Sequence, residues 1–311
     1  MVGSGVIGLT TAVRLAEAGV RVQIVTAAMP QETTSRAAGA IWGSSFAAPA
    51  GRVRRWAEDT LEELRREAGD PATGVRIAGG VLGSRSTADG PPEFLFPGVS
   101  ISPGHPPPPG FVAAFSVNVP VADMPRHLDY LLARLGRAGG EIEVRRLDAL
   151  EDVAGEAPVV VNCAGIGARD LVPDPELRPL RGQHVVVENP GLDEFFMEEP
   201  VARWASWIPH GDEVVLGGLA QEDEWSLEPD PAVAQEILAR CAEVEPQLAD
   251  VRVIEHRVGL RPARPVVRLE AEALGASLCV HNYGHGGTGV GLAWGCARDV
   301  LEIVRQRAGH E

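Results

Sequence analysis

Residues 1–28, MVGSGVIGLTTAVRLAEAGVRVQIVTAA, set Gly3, Gly5 and Gly8 in a G-x-G-x-x-G spacing ahead of a helical pattern and then a strand. Loop, helix and strand in that order make most of a β-α-β unit. Glycines there let backbone approach a pyrophosphate, whose charge faces free N–H groups and the positive end of a helix. The spacing alone is a weak signal, because glycines also serve turns and tight packing. The helix and strand that follow it strengthen the binding reading. Two parts of the pattern depart from the usual. The carboxylate that normally ends the second strand is missing, and Thr26, Ala27 and Ala28 stand there. That weakens a nicotinamide-dependent dehydrogenase, although Thr26 can donate one hydrogen bond. The first strand is cut to Met1 and Val2, against a usual length of about five or six residues. Further apolar residues are therefore expected upstream in the native chain.

Working outward, the chain has 311 residues, 45% hydrophobic and 23% charged, the balance of a soluble globular enzyme. Its apolar runs, such as APVVVNCAG, are too short to span a bilayer. The net charge of −15 repels phosphate backbones and argues against nucleic acid. The basic clusters GRVRRW and EELRREAG are interleaved with Glu58, Asp59, Glu62 and Glu63 and read as a solvated helix face. Cys163, Cys241, Cys279 and Cys296 form no C-x-x-C pair. Zinc is therefore not expected, and a reduced, cytoplasmic protein is.

RRWAEDTLEELRREAG, DMPRHLDYLLARLGRAGG and DPAVAQEILARCAEV read as helices, with Asp123 as a cap and Pro125 in a first turn. GVRIAGGVLGS, GFVAAFSVNVP, EIEVRRL, APVVVNCAG, GQHVVVENP, RWASWIP and DEVVLGG read as strands. FPGVSISPGHPPPPG reads as a surface loop, and VRVIEHRVGLRPARPVVRLE as an extended segment broken by prolines. The order predicts an interleaved two-domain α/β protein.

Two further stretches carry the chemistry. HNYGHGGTGVGLAWGCA, residues 281–297, places five glycines before a helix and can receive a second part of a long cofactor. Upstream, GLRPARPVVRLE holds Arg261, Arg264 and Arg268 among stiffening prolines. An arginine on such a support suits bidentate capture of a carboxylate. Equally, all three can be surface cations paired with acids such as Glu270.

With GSGVIGLTTA, TTSRAAGAIW, VVNCAGIGA, LRGQHVVVE and VVLGG, these stretches make the chain resemble the D-amino-acid oxidase family over nearly its whole length. The resemblance implies a Rossmann-like FAD-binding domain (1–73, 140–180 and 268–311) interleaved with a strand-rich substrate-binding domain (74–139 and 181–267) carrying a mixed or antiparallel sheet. For FAD it implies Gly3, Ser4, Gly5, Val6, Ile7 and Gly8 at the dinucleotide loop and Thr33, Thr34 and Ser35 at the phosphates. Gly39, Ala40, Ile41 and Trp42 fall beside the flavin, and Leu147 at the adenine. Gly286, Gly287, Thr288, Gly289, Val290 and Gly291 fall at the isoalloxazine end. On residues alone, Thr33–Ser35 read as a polar loop and Trp42 as core packing.

For substrate, the resemblance implies that Arg261 holds the carboxylate and the Gly287 carbonyl takes the amine. The Cα hydrogen of one enantiomer then faces flavin N5, and oxygen is the final acceptor, giving hydrogen peroxide. Where the family usually has tyrosines, this chain has Ser206 and Trp207, and both are expected at the substrate. Trp204, Trp207 and Ile208 favour neutral, apolar D-amino acids. Arg203, turned inward, would instead favour D-aspartate or D-glutamate. His281 and His285 are expected to hydrogen-bond backbone, and Cys163 and Cys296 to be packed small residues. No metal, membrane or nucleic-acid partner is expected, and a homodimer is, since family members are often dimeric.

Overall fold

The computed structural model describes residues 1–43, 47–91, 93–199 and 203–308. The glycine loop leads into Val6–Glu17 (α1), which buries Val6, Leu9, Val13 and Leu15, and then into Gln23–Thr26 (β1). Ala50–Glu67 (α2) is amphipathic, with Trp56, Leu61 and Leu64 inward, while Arg54 pairs with Glu58 and Arg66 with Glu62 on its solvated face; Glu63, expected on that face, is instead buried. Val75–Ser84 (β2), Ile101–Pro103 (β3) and Ala113–Ala122 (β4) follow. The proline-rich segment expected as a loop thus contributes β3, which pairs antiparallel with β4 at one end of a large sheet. Met124–Arg137 (α3) starts with Pro125 in its first turn and packs with α1 in the main core. Asp123 precedes it but makes no side-chain cap.

Glu141–Val144 (β5), Val159–Asn162 (β6) and the single turn Ala168–Leu171 (α4) come next. Arg178–Glu188 (β7), Phe195–Glu198 (β8), Arg203–His210 (β9), Glu213–Leu219 (β10) and Gln221–Glu222 (β11) supply most of the antiparallel sheet. Pro231–Val244 (α5) is capped by Asp230, whose carboxylate accepts the N–H of Ala232. Val253–Leu274 (β12), Ser277–His285 (β13) and Gly289–Ala308 (α6) complete the chain.

Eleven strands share one sheet in the order β3-β4-β2-β8-β9-β10-β7-β12-β13-β6, with β11 also on β7, while β1 and β5 form a separate parallel pair. Val2 joins the two. It bridges both Val25 and Asn162 in parallel. Its N–H donates to the Val161 carbonyl at 2.8 Å, and its own carbonyl accepts from Cys163 at 2.8 Å. Met1 accepts from the N–H of Val25 at 2.7 Å, and Gly3 donates to the Val25 carbonyl at 2.9 Å. Val2 thus stitches β1 to β6, and β5, β1, Val2, β6 and β13 run as a parallel ribbon.

The segment expected to be broken by prolines is instead one continuous 22-residue strand, β12. Its first half pairs with β7 up to Ala263, and its second half pairs with β13 from Arg268. Pro265 lies inside the break in the β13 ladder between Ala263 and Arg268, and Pro262 just before it, opposite Pro179 near the end of the β7 ladder. A missing N–H is tolerated at such a break. All four cysteines are buried and free, with Cys163 and Cys296 packed in the main core. Among the described residues, no helix is long and apolar enough to cross a membrane, and no His, Cys, Asp or Glu cluster could hold a metal ion.

Candidate functional site

Along the parallel ribbon, the loops that follow the strands open onto an elongated cleft of ≈ 510 Å³. Gly3, Ser4, Gly5, Val6 and Ile7 line it at the start of α1. Gly5 is the N-cap of α1 and offers no side-chain cap. Val6 N–H donates to Ser35 Oγ at 2.9 Å, and a Cβ on Gly5 would sit 3.1 Å from the same hydroxyl. The helix therefore presents unpaired first-turn donors to the cleft, with Thr33, Thr34 and Ser35 beside them. Gly8 stands behind: a Cβ there would lie 2.0 Å from the Gly3 carbonyl, so that glycine serves the tight turn.

Thr26, which stands in place of the missing acid, is not free to bind. Its hydroxyl is 3.0 Å from Ser4 Oγ and donates to the Ala28 carbonyl at 2.9 Å. Arg145, Arg146, Leu147 and Asp148 line the cleft near it. Across the ribbon, Ala164–Gly167 line the wall, with Gly165 at φ 58° facing open space. Gly286, Gly287, Gly289 and Val290 line the other end. Gly286, at φ 55°, likewise has nothing within 4 Å of a built Cβ. The open cradles at Gly165 and Gly286, together with two helix starts, fit a long phosphate-bearing cofactor such as FAD.

Several expected contacts lie outside the lining. Thr288 turns back to donate to the His285 carbonyl at 2.6 Å. Gly291 abuts Gly43, whose carbonyl would be 2.1 Å from a Cβ. Trp42 is fully buried, with its indole N–H on the Ala57 carbonyl at 3.1 Å, so core packing describes it. Gly39, Ala40 and Ile41 are not among the lining residues either. Gly39 lies against Ile208 and His184, while Ile41 bridges Val121.

The three arginines separate cleanly. Arg264 pairs with Asp174 and Glu176, and Arg268 with Glu270 and Glu272. Arg261 has no acidic partner among the described residues. Its Nη1 donates to the Leu219 carbonyl at 3.0 Å. Desolvation lowers its pKa to about 10, so it stays charged at neutral pH. It lies over Gly182, where a Cβ would be 2.5 Å from Nη2, and a Cβ on Gly287 would be 3.4 Å from its Cδ. Arg261 and Gly287 therefore share one end of the cleft.

Ser206 and Trp207 are not lining residues. Trp207 stacks on Phe196 at 4.5 Å in a separate core across the sheet. Ser206 faces the other way, with Oγ 3.0 Å from a Cβ built on Gly217. Arg203 pairs outward with Glu236, which removes the cation proposed for an acidic substrate. Glu198 is held by Arg85 and the Ala205 N–H.

His281 does not use backbone. Its Nδ1 accepts from Asn162 Nδ2 at 3.2 Å, and Nε2 donates to Glu272 at 2.8 Å. His285 lines the cleft, is buried without a partner for Nε2 among the described residues, and is pushed down to about 3 by burial. It is neutral, and among the described residues its ring makes no bond to backbone, where one had been expected. Sequence reading missed His184, Asn282 and Tyr283 as lining residues. The adjacent RGQ and HNYG glycines were the signal: each clears room for a neighbour's side chain.

The FAD-dependent oxidoreductase family model matches residues 1–303. A D-amino-acid oxidase of Rubrobacter xylanophilus is 47% identical over 98% of this chain and 94% of its own length. One of Streptomyces coelicolor is 45% identical over 98% of this chain and 95% of its own. The crystal structure of glycine oxidase from Geobacillus kaustophilus superposes with a TM-score of 0.79 at 18% identity, covering 98% of this chain and 93% of that one. That last likeness speaks for the fold.

Proposed function

The chain belongs to the FAD-dependent oxidoreductase family, and from that premise we propose that it oxidises neutral D-amino acids to 2-oxo acids, ammonia and hydrogen peroxide. The observation that carries this reading is Arg261, a desolvated cation in the cleft with no acid to neutralise it among the described residues. A substrate carboxylate is the anion that completes it.

Bound FAD would supply the two-electron acceptor, taking hydride from the substrate Cα and passing both electrons to oxygen. Residues 3–7, Thr33, Thr34, Ser35, Leu147, Gly165, Gly286, Gly287, Gly289 and Val290 would hold it. Arg261 fixes the α-carboxylate by its planar fork. The Gly287 carbonyl accepts from the α-amine. Two fixed points leave one choice of which Cα substituent faces the cofactor, and that sets handedness. Among the described lining residues, His184 and His285 are both too weakly basic to take a proton from the amine at neutral pH. The amine therefore enters neutral with no proton transfer required: loss of hydride from Cα leaves the iminium C=NH2+, which water hydrolyses to the 2-oxo acid and ammonium.

Residues 1–73, 140–180 and 268–311 are read as the cofactor-binding part, and 74–139 and 181–267 as the substrate-binding part. The parallel ribbon and the antiparallel sheet support that division. Four buried free thiols support a cytoplasmic setting. The outward pairing of Arg203 favours neutral over acidic substrates. The test is anaerobic addition of D-alanine and L-alanine to the FAD-loaded protein. D-alanine is expected to bleach the flavin absorbance and L-alanine to leave it unchanged. Bleaching by neither, or by both alike, overturns the reading.

A further inference from the structure

Neighbouring strands place three polar side chains on one face of the sheet, two of which, Arg261 and His184, line the cleft. Arg261 of β12 lies over Gly182 of β7. His184 is two residues along β7 and so shares that face. One strand further, a Cβ on Gly217 of β10 would sit 3.0 Å from both His184 Nε2 and Ser206 Oγ of β9. Glycines at 182 and 217 open the space that the guanidinium, imidazole and hydroxyl occupy.

His184 is held in one tautomer. Its Nδ1 is 2.7 Å from the Ala37 carbonyl, which can only accept, so Nδ1 carries the hydrogen. Desolvation and the charge of Arg261 lower its pKa to about 4, which keeps it neutral. Nε2 therefore presents a lone pair, and among the described residues it has no hydrogen-bond partner. The ring lines the same cleft as Arg261 and Gly287.

We infer that His184 determines side-chain specificity: its Nε2 accepts a hydrogen bond from the substrate side chain, favouring neutral D-amino acids that carry a hydroxyl or amide donor. The inference rests on the reading of Arg261 and Gly287 as anchors of the α-carboxylate and amine. With those groups held, only the side chain is left to reach the imidazole. A side-chain carboxylate has no hydrogen to offer at neutral pH and would set lone pairs against Nε2. Arg261 cannot relieve that, being taken by the α-carboxylate. An apolar side chain of equal size leaves the acceptor unpaired, which is the larger penalty in a desolvated site.

The test compares kcat/KM for near-isosteric pairs, D-serine against D-2-aminobutyrate and D-asparagine against D-aspartate. The wild-type enzyme is expected to prefer the donor-bearing member of each pair. His184→Val is expected to lower the D-serine to D-2-aminobutyrate ratio by about fivefold or more. His184→Gln, whose amide can donate to Ala37 and still present an oxygen, is expected to keep most of it. Flavin content and absorbance report whether each variant folds and loads. An unchanged ratio in a flavin-loaded His184→Val overturns the inference. So does a wild-type preference for D-2-aminobutyrate or D-aspartate, whatever the variants do. Failure of wild-type D-alanine to bleach the flavin would instead strike the anchor reading, so the two failures are distinguishable.

Discussion

At position 261 a guanidinium meets a backbone carbonyl and no carboxylate, while its sequence neighbours Arg264 and Arg268 are each paired twice. An uncompensated charge is held against the stability of the free protein, so Arg261→Met should raise the Tm of the ligand-free enzyme by a gain on the order of 1 kcal/mol. The same change should cut kcat/KM for D-alanine by roughly a hundredfold or more, because a charged hydrogen-bond pair is lost in a desolvated site. Thermal melts beside steady-state kinetics check both signs at once; a variant that loses stability would show that the cation is compensated after all. Gly182→Ala tests the same contact from the other side. Its Cβ would fall 2.5 Å from Nη2. The expected result is a KM raised about tenfold or more with FAD content unchanged. The residues of GLRPARPVVRLE alone left three arginines equal, and only the family resemblance singled out Arg261; nothing in the stretch said which would be left without an acid. That depended on Asp174, Glu176, Glu270 and Glu272 arriving from elsewhere.

Among the elements, the crossing of α2 and α6 shows how magnitudes decide. Gly295 sits in the interior of α6, where alanine would gain about 1 kcal/mol in helix propensity. A Cβ there would lie 2.3 Å from Trp56 Cα, and the Gly295 N–H donates to Thr60 Oγ1 at 3.0 Å. Backbone cannot yield as a side-chain tip can, so overpacking wins. Gly295→Ala should destabilise the fold by about 1–3 kcal/mol, read as a lower denaturation midpoint at unchanged m. The helices were legible from their apolar spacing, with α2 and α3 found nearly to their ends. β12 was not, because prolines usually stop strands, and only the three-dimensional changeover from β7 to β13 makes a missing donor harmless at 262 and 265. Val2 escaped for a related reason: its pairing is set by distant strands, with its own N–H and carbonyl on Val161 and Cys163, and its neighbours Met1 and Gly3 on Val25.

For the whole molecule, buried histidines set the response to acid. His127 is buried with Nδ1 on the Thr73 carbonyl at 3.0 Å, and burial lowers it to about 4. His285 is lowered further, to about 3. An unfolded histidine takes its proton near pH 6.5, so between that pH and about 4 the unfolded chain binds more protons than the folded one. Stability is complete above about 6.5 and falls as pH drops, by up to about 3 kcal/mol for His127. Tm measured from pH 7 to pH 4.5 should decline, and His127→Asn, which keeps a donor for Thr73, should flatten the slope. The architecture was legible as interleaved, since the β-α-β start and the closing glycine helix bracket a strand-rich middle. The continuity of its two parts was not. One unbroken backbone, β12, carries Arg261 on its first half and holds β13, the strand leading into Gly286, on its second. The grip on the substrate and the shelf for the cofactor are thus two marks on a single ruler. Slipping one extra residue between Ala263 and Arg268 would turn one mark to the opposite side of the sheet, and no rearrangement of loops could bring the two back into alignment.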